Sequence, residues 1–451
     1  MKNVYSPLAV VFQTSHEELN PYHRGLGRII YSLLILHGTW YLNFFIQAGL
    51  LQQRLTSKVV WIGIISLAMI TLLASTSLQK VRHWSYRVFF IVHLVIGVSI
   101  LPLLFFHAPL LRMYVIEALF LFVIDIIGRK LSTFNAFATI TSIPHTKLIK
   151  ISVPIPPHKV RRFKAAPGQH VYLQIPQESV PPLSSSPAFL HELLYNPFTV
   201  ASVSSTHLSL VLRTLHGPTT RALENLSQMT KASPPLNIEG PLGSSGYYLP
   251  HLAAEYDRIL LVAGGVGATF ILPIYKQLQE AVIEEGKSRE MVKMIWSMRE
   301  GAEAFWAVDF PPSVSSTRLS NPNPRSSSSH SPEERQREKW RPDEDENISI
   351  FFTRAHHRNS PADVDGSVEL DSFSSRNLKV GDLDMDITAT GGTDRPDLRR
   401  IVDETFRLGK KERVAVLVCG PEGMARELRR YVGRWVEAGR EVWFHDESFG
   451  W

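Results

Sequence analysis

The feature that most constrains this chain is a set of long apolar runs confined to its first third, with four of that third's histidines, His23, His37, His93 and His107, placed at matched intervals around them. Roughly Ile29–Gln47, Val59–Leu78, Val88–Phe106 and Leu110–Ile127 are each long enough to cross a hydrocarbon core about 30 Å thick. His23 and His37 lie fourteen residues apart around the first run, and His93 and His107 repeat that interval around the third. On a helix, fourteen residues rise roughly 21 Å in nearly four turns, so the members of a pair share a face near opposite sides of the membrane. Imidazoles are expensive in lipid and mark function there. Two helices with matched pairs can clamp two haems, one above the other, with His23 and His93 on one and His37 and His107 on the other. A hydrogen-bonded structural histidine is the bland alternative for any one of them.

Charge predicts the orientation. Arg24, Arg28, Lys80, Arg82, Arg87, Arg129 and Lys130 fall on one side of the four expected spans, against Arg54, Lys58 and Arg112 on the other. The basic side is the cytoplasmic one, which places the long C-terminal region there. The first residues lack a long apolar core and a small-residue cleavage site, so no cleavable signal is expected. The net charge of +6 includes no dense basic block interleaved with aromatics, and nucleic acid is not an expected partner. A single cysteine excludes disulfide frameworks, Cys-ligated iron–sulfur clusters and zinc fingers.

Beyond residue 130 the pattern becomes that of an α/β protein. Lys147–Val153, His170–Ile175, Phe198–Val203 and Leu208–Thr214 read as short strands broken by Pro, Gly and Ser, which suggests a small antiparallel barrel. From Tyr256 strands alternate with helices. The buried-strand run Arg258–Ala263 opens into Gly264-Gly265-Val266-Gly267-Ala268-Thr269, a turn able to bring backbone N–H groups to a pyrophosphate at a helix start. Ile295–Arg299, Arg395-Pro396-Asp397 and Cys419-Gly420-Pro421 follow at expected strand ends.

Asn196-Pro197-Phe198-Thr199 and Gly217-Pro218-Thr219-Thr220-Arg221 carry a resemblance. The region resembles the FAD barrel of the ferredoxin–NADP reductase superfamily, in the version fused to a haem membrane domain: ferric reductases and NADPH oxidases. The resemblance runs from Tyr22 to Trp451. It implies a helical transmembrane haem domain (23–130, after an N-terminal segment 1–22), an antiparallel β-barrel FAD domain (131–250) and an α/β parallel-sheet NADPH domain (251–451). It implies that Pro197, Phe198 and Thr199 line the flavin, and that Gly217, Thr220 and Arg221 hold its pyrophosphate. Asn196 stands where the family often has His. For NADPH it implies Gly264, Gly265, Gly267, Thr269, Gly420 and Pro421, with Arg299 and Arg395 on the 2′-phosphate. Asp394 replaces the usual Gly before that Arg-Pro. Cys419 would lie beside the nicotinamide, and Phe449 would cover the flavin.

Two Ser-, Pro- and charge-rich stretches, about 311–347 and 356–380, are expected to carry no fold. The implied cofactors are FAD, NADPH and two haems b. The implied activity is ferric- or cupric-chelate reduction across a membrane, most simply the plasma membrane, in metal uptake. Two alternatives stay open: a superoxide-forming NADPH oxidase, and a truncated, impaired protein, because two spans usual in the family before the first haem helix are missing. The sequence leaves the oligomeric state open.

Overall fold

The computed structural model describes residues 16–180, 195–215, 217–229, 233–308, 340–353, 389–392, 394–409 and 411–447. It divides into two compact units, one ending at Ser132 and the other running from Thr133 to Ser448.

The first unit is helical: α1 (His16–Gln47), α2 (Lys58–Thr76), α3 (Tyr86–His107) and α4 (Leu111–Ser132). Helix α2 packs against both α1 and α3, and α3 packs against α4. Leu33, Trp40, Ile64 and Val95 are exposed, as suits surfaces that meet lipid. Hydroxyls inside these helices donate to their own preceding turn, Thr39 to Ile35 O and Thr71 to Leu67 O, which lets them sit in an apolar segment. Among the described residues three helical stretches are long and apolar enough to cross a membrane: Leu19–Gln47, Lys58–Thr76 and Val88–His107. The expected fourth span does form a helix, α4, but falls outside that set. It carries Arg112, Glu117, Asp125, Arg129 and Lys130, and Asp125 is buried.

The second unit holds two sheets. The first has seven antiparallel strands in the order β1-β7-β4-β5-β6-β3-β2: β1 (Thr133–Phe137), β2 (Thr139–Ser142), β3 (Leu148–Pro154), β4 (His170–Gln174), β5 (Asn196–Val203), β6 (His207–Arg213) and β7 (Pro235–Leu242). It curls as a half-barrel around Ile149, Ile151, Val171, Leu173, Leu210 and Ile238. Helix α5 (Pro157–Lys164) follows β3, and α6 (Pro218–Gln228) follows β6.

The second sheet is parallel, in the order β10-β9-β8-β11-β12: β8 (Arg258–Gly264), β9 (Val292–Met298), β10 (Ile348–Phe352), β11 (Val414–Cys419) and β12 (Val442–Glu447). Continuous apolar runs such as Ile259–Ala263 and Val414–Cys419 are what a sheet covered on both faces requires. Helices α7 (Ser245–Glu255) and α8 (Ala268–Glu284) cover one face, α9 (Leu398–Arg407) and α10 (Glu422–Glu437) the other.

One expectation is corrected here. The foldless stretch placed at 311–347 ends early, because residues 340–347 are ordered against α8. Trp340 lies under Lys276, with Nζ 3.7 Å from the ring centre. Asp345 accepts a 2.8 Å hydrogen bond from Tyr275, and Pro342–Glu344 form a helical turn. A Trp at the end of a polar run is a packing signal that composition alone averages away. The 356–380 stretch lies outside the described residues.

Candidate functional site

Chain order reverses direction at β8, whose neighbours are β9 and β11. In a doubly wound sheet that reversal leaves a crevice beyond the carboxyl ends of the two strands, where ligands bind. Here those ends are Gly264 and Cys419. The turns that follow press backbone against backbone. A Cβ on Gly264 would stand 2.6 Å from Pro421 Cδ, one on Gly420 3.0 Å from Gly264 Cα, and one on Gly267 would collide with the Cys419 carbonyl. Gly265 has φ +54°, a left-handed conformation that suits glycine, and its carbonyl accepts from Trp296 Nε1 at 3.1 Å. Helix α8 starts immediately afterwards with no side-chain cap, an arrangement that suits phosphate binding at a helix start. The Thr269 hydroxyl is buried and donates to Val266 O at 2.9 Å, which braces the turn.

Cys419 ends β11, 3 % exposed and opposite Ala263 on one side and Glu447 on the other. Burial, helped by the Glu447 and Asp446 carboxylates, pushes its thiol well above the usual range, so it stays protonated and packs as a neutral group. Arg299 follows β9 directly, and Arg395 lies between Gly392, which bridges to Phe351 of β10, and α9. Both are exposed and free of ion pairs among the described residues.

On the half-barrel, Pro197, Phe198 and Thr199 sit in β5, paired with Tyr172, Val171 and His170 of β4. Asn196 Nδ2 donates to Thr219 Oγ1 at 2.7 Å and ties this strand to the first turn of α6. Gly217 precedes that helix, which also has no side-chain cap, and a Cβ there would meet only Thr220 Oγ1, at 3.9 Å. Thr220 Oγ1 donates to Leu215 O at 2.9 Å, and Arg221 is exposed. An open, uncapped helix start beside a polar strand suits a second pyrophosphate.

The sequence reading missed one pair. Arg213, the last residue of β6, bonds Glu303 at 2.9 Å, and its guanidinium lies 3.2 Å from where a Cβ on Gly265 would be. Glu303 also accepts from the Arg299 backbone N–H at 3.4 Å. This pair brings the half-barrel to the glycine turn across 90 residues of sequence, a distance at which no local spacing signals it. Phe449 lies outside the described residues. The strand leading to it carries His445, whose ring sits 5.0 Å from Tyr248 and 5.6 Å from Trp443.

In the helical unit the structure brings one histidine pair together. His23 of α1 and His93 of α3 have ring centroids 6.1 Å apart. Two imidazoles bonded at about 2 Å to opposite sides of one metal ion have centroids roughly 6 Å apart, so the pair fits a shared iron. Among the described residues no ring contact joins His37 to His107. His37 instead lies 4.8 Å from Tyr41, and His107 faces α2.

A half-barrel and a parallel sheet, each with an uncapped helix start beside a bare turn, define a module for two dinucleotides. Residues 1–104 match the family described as ferric reductase-like transmembrane component, 134–246 an FAD-binding domain and 256–433 the ferric reductase NAD-binding domain. The chain belongs to the ferric reductase family. It is 22% identical over 483 residues to ferric/cupric reductase transmembrane component 2 of Schizosaccharomyces pombe, an alignment covering 98% of this chain and 76% of that protein. It is 26% identical over 286 residues to a probable metalloreductase of Meyerozyma guilliermondii, covering 63% and 53%. It is also 26% identical over 289 residues to ferric reduction oxidase 8, mitochondrial, of Arabidopsis thaliana, covering 61% and 36%. The chain thus spans 36% to 76% of the length of these relatives.

Proposed function

We propose that this protein transfers electrons from cytoplasmic NADPH, through FAD and two b-type haems, to ferric or cupric complexes on the far side of a membrane, most simply the plasma membrane. The observation that carries the reading is the approach of His23 and His93 from separate apolar helices to a 6.1 Å centroid separation, in a chain that also has two dinucleotide turns. When bound, a flavin accepts electrons in pairs and releases them singly, which single-electron haem carriers require.

The chain's own groups bind and orient. The uncapped starts of α6 and α8 take the two pyrophosphates. Arg299 and Arg395 offer guanidinium forks to a 2′-phosphate. Cys419 presents a neutral thiol that packs at the head of the crevice and excludes water. His23 with His93 hold one iron, and His37 with His107 the other. Relatives named as metalloreductases favour a metal complex over oxygen as acceptor.

The test is an anaerobic visible spectrum of the full chain in membranes, with and without NADPH, for the native protein and for His37→Ala. NADPH is expected to bring up low-spin haem bands in the native chain. His37→Ala is expected to remove one haem and reduction of a ferric chelate while soluble dyes are still reduced. Full chelate reduction by that variant would end the ligand assignment, and superoxide formed by the native chain in a parallel aerobic assay without added metal would move the acceptor to oxygen.

A further inference from the structure

Helix α2 touches both histidines of α3. Ser77, which closes α2, sets its Oγ 3.3 Å from His93 Nδ1. At the other end of the helix the Val59 carbonyl oxygen lies 3.1 Å from His107 Nδ1. The Ser77 hydroxyl already donates its hydrogen to Leu73 O at 2.6 Å. What Ser77 offers the ring is therefore a lone pair, and His93 must carry its proton on Nδ1 to donate. A carbonyl oxygen only accepts, so His107 is held in the same tautomer. In both rings Nε2 is left as a bare lone pair, the form in which imidazole binds a metal. His107 is also held by shape. A Cβ on Gly63 would stand 2.7 Å from its Cε1, so the ring lies flush against α2 only because position 63 is glycine. Gly63 and Ser77 are fourteen residues apart, the interval between His93 and His107, read in the opposite direction.

We propose that Ser77 and the Val59–Gly63 turn are positioning residues, and that α2 is a rack that fixes tautomer and orientation of both α3 imidazoles for haem. This rests on the haem reading above. A hydroxyl that merely satisfied a buried histidine would stabilise the helix pair but leave the iron indifferent to its loss. An acceptor on Nδ1–H makes the imidazole a stronger donor to ferric iron and so lowers the haem potential.

The experiment is a spectroelectrochemical titration, with EPR, of the full chain loaded with haem b in lipid nanodiscs. Ser77→Ala is expected to raise the midpoint potential of one haem and leave the other in place, with haem content unchanged. Ser77→Thr, which keeps the acceptor, is expected to restore it. Gly63→Ala is expected to alter the low-spin EPR signal of the other haem or release it. Unchanged potentials and EPR signals in Ser77→Ala and Gly63→Ala, at full haem content, would overturn the rack. A native chain that takes up no low-spin haem would overturn the ligand assignment itself, which separates the two failures.

Discussion

The helical unit and the dinucleotide unit build their sites by opposite means. At the β8–β11 crevice the chain removes side chains: Gly264, Gly267 and Gly420 let two backbones touch, beside a helix start with no side-chain cap. Among the helices the chain adds side chains to an apolar background and steadies them with acceptors on a neighbouring helix. The first construction is local in sequence and tolerates no added atom. The second is spread over long intervals and depends on direction, since an imidazole that binds a metal has one nitrogen for support and one for the ligand.

The sharpest way to break that contrast is to add one carbon to the crevice. Gly267→Ala would drive a Cβ into the Cys419 carbonyl, and neither backbone has room to retreat. The expected outcome is a loss of NAD(P)H-dependent dye reduction of roughly 100-fold or more, with a stability loss of about 3 kcal/mol. Haem spectra after dithionite should be unaffected. Dye kinetics and spectra on one preparation check both halves.

A smaller effect is expected at the rim. Arg299→Ala should raise the KM for NADPH by about tenfold and leave the KM for NADH unchanged, as loss of one charge-assisted phosphate contact predicts. Equal losses for the two nucleotides would move the 2′-phosphate contact to other residues, Arg395 first.

The smallest effect concerns pH. Burial lowers the Lys276 ammonium to about 7 from its ordinary 10.5, against the pull of Asp345 and Glu280. Between those values the unfolded chain holds a proton that the folded one has released, so stability rises with pH from about 7 to 10. It is lost as pH falls towards 7, where the buried amine must charge. Lys276→Met is expected to flatten that rise and to add on the order of 1 kcal/mol near pH 7. Thermal melts of the full chain at pH 6.5 and 9 measure it.

Much of this was legible from residues alone. Three of the four runs form helices apolar enough to span, and β3, β4, β5, β6 and β8 fall within two residues of the strands expected. Those signals are local: hydropathy over twenty residues, alternation over six, glycine after a buried strand. What stayed hidden is long-range. Nothing near Arg213 announces Glu303, and nothing near His93 announces Ser77. Helix α4 formed where the fourth run was expected, but Arg112, Glu117 and Asp125 interrupt its apolar stretches and set it apart from the other three. The Trp340–Asn347 stretch misled because one aromatic and one acceptor can order a polar run.

Cys419 has one more consequence. It is the chain's only cysteine, 3 % exposed, with its thiol held protonated by burial. An alkylating probe can reach it only when the end of β11 parts from the glycine turn. Sulfur labelling of the native protein is therefore a clock for opening at that seam, and a nucleotide that seats across the seam should slow the clock.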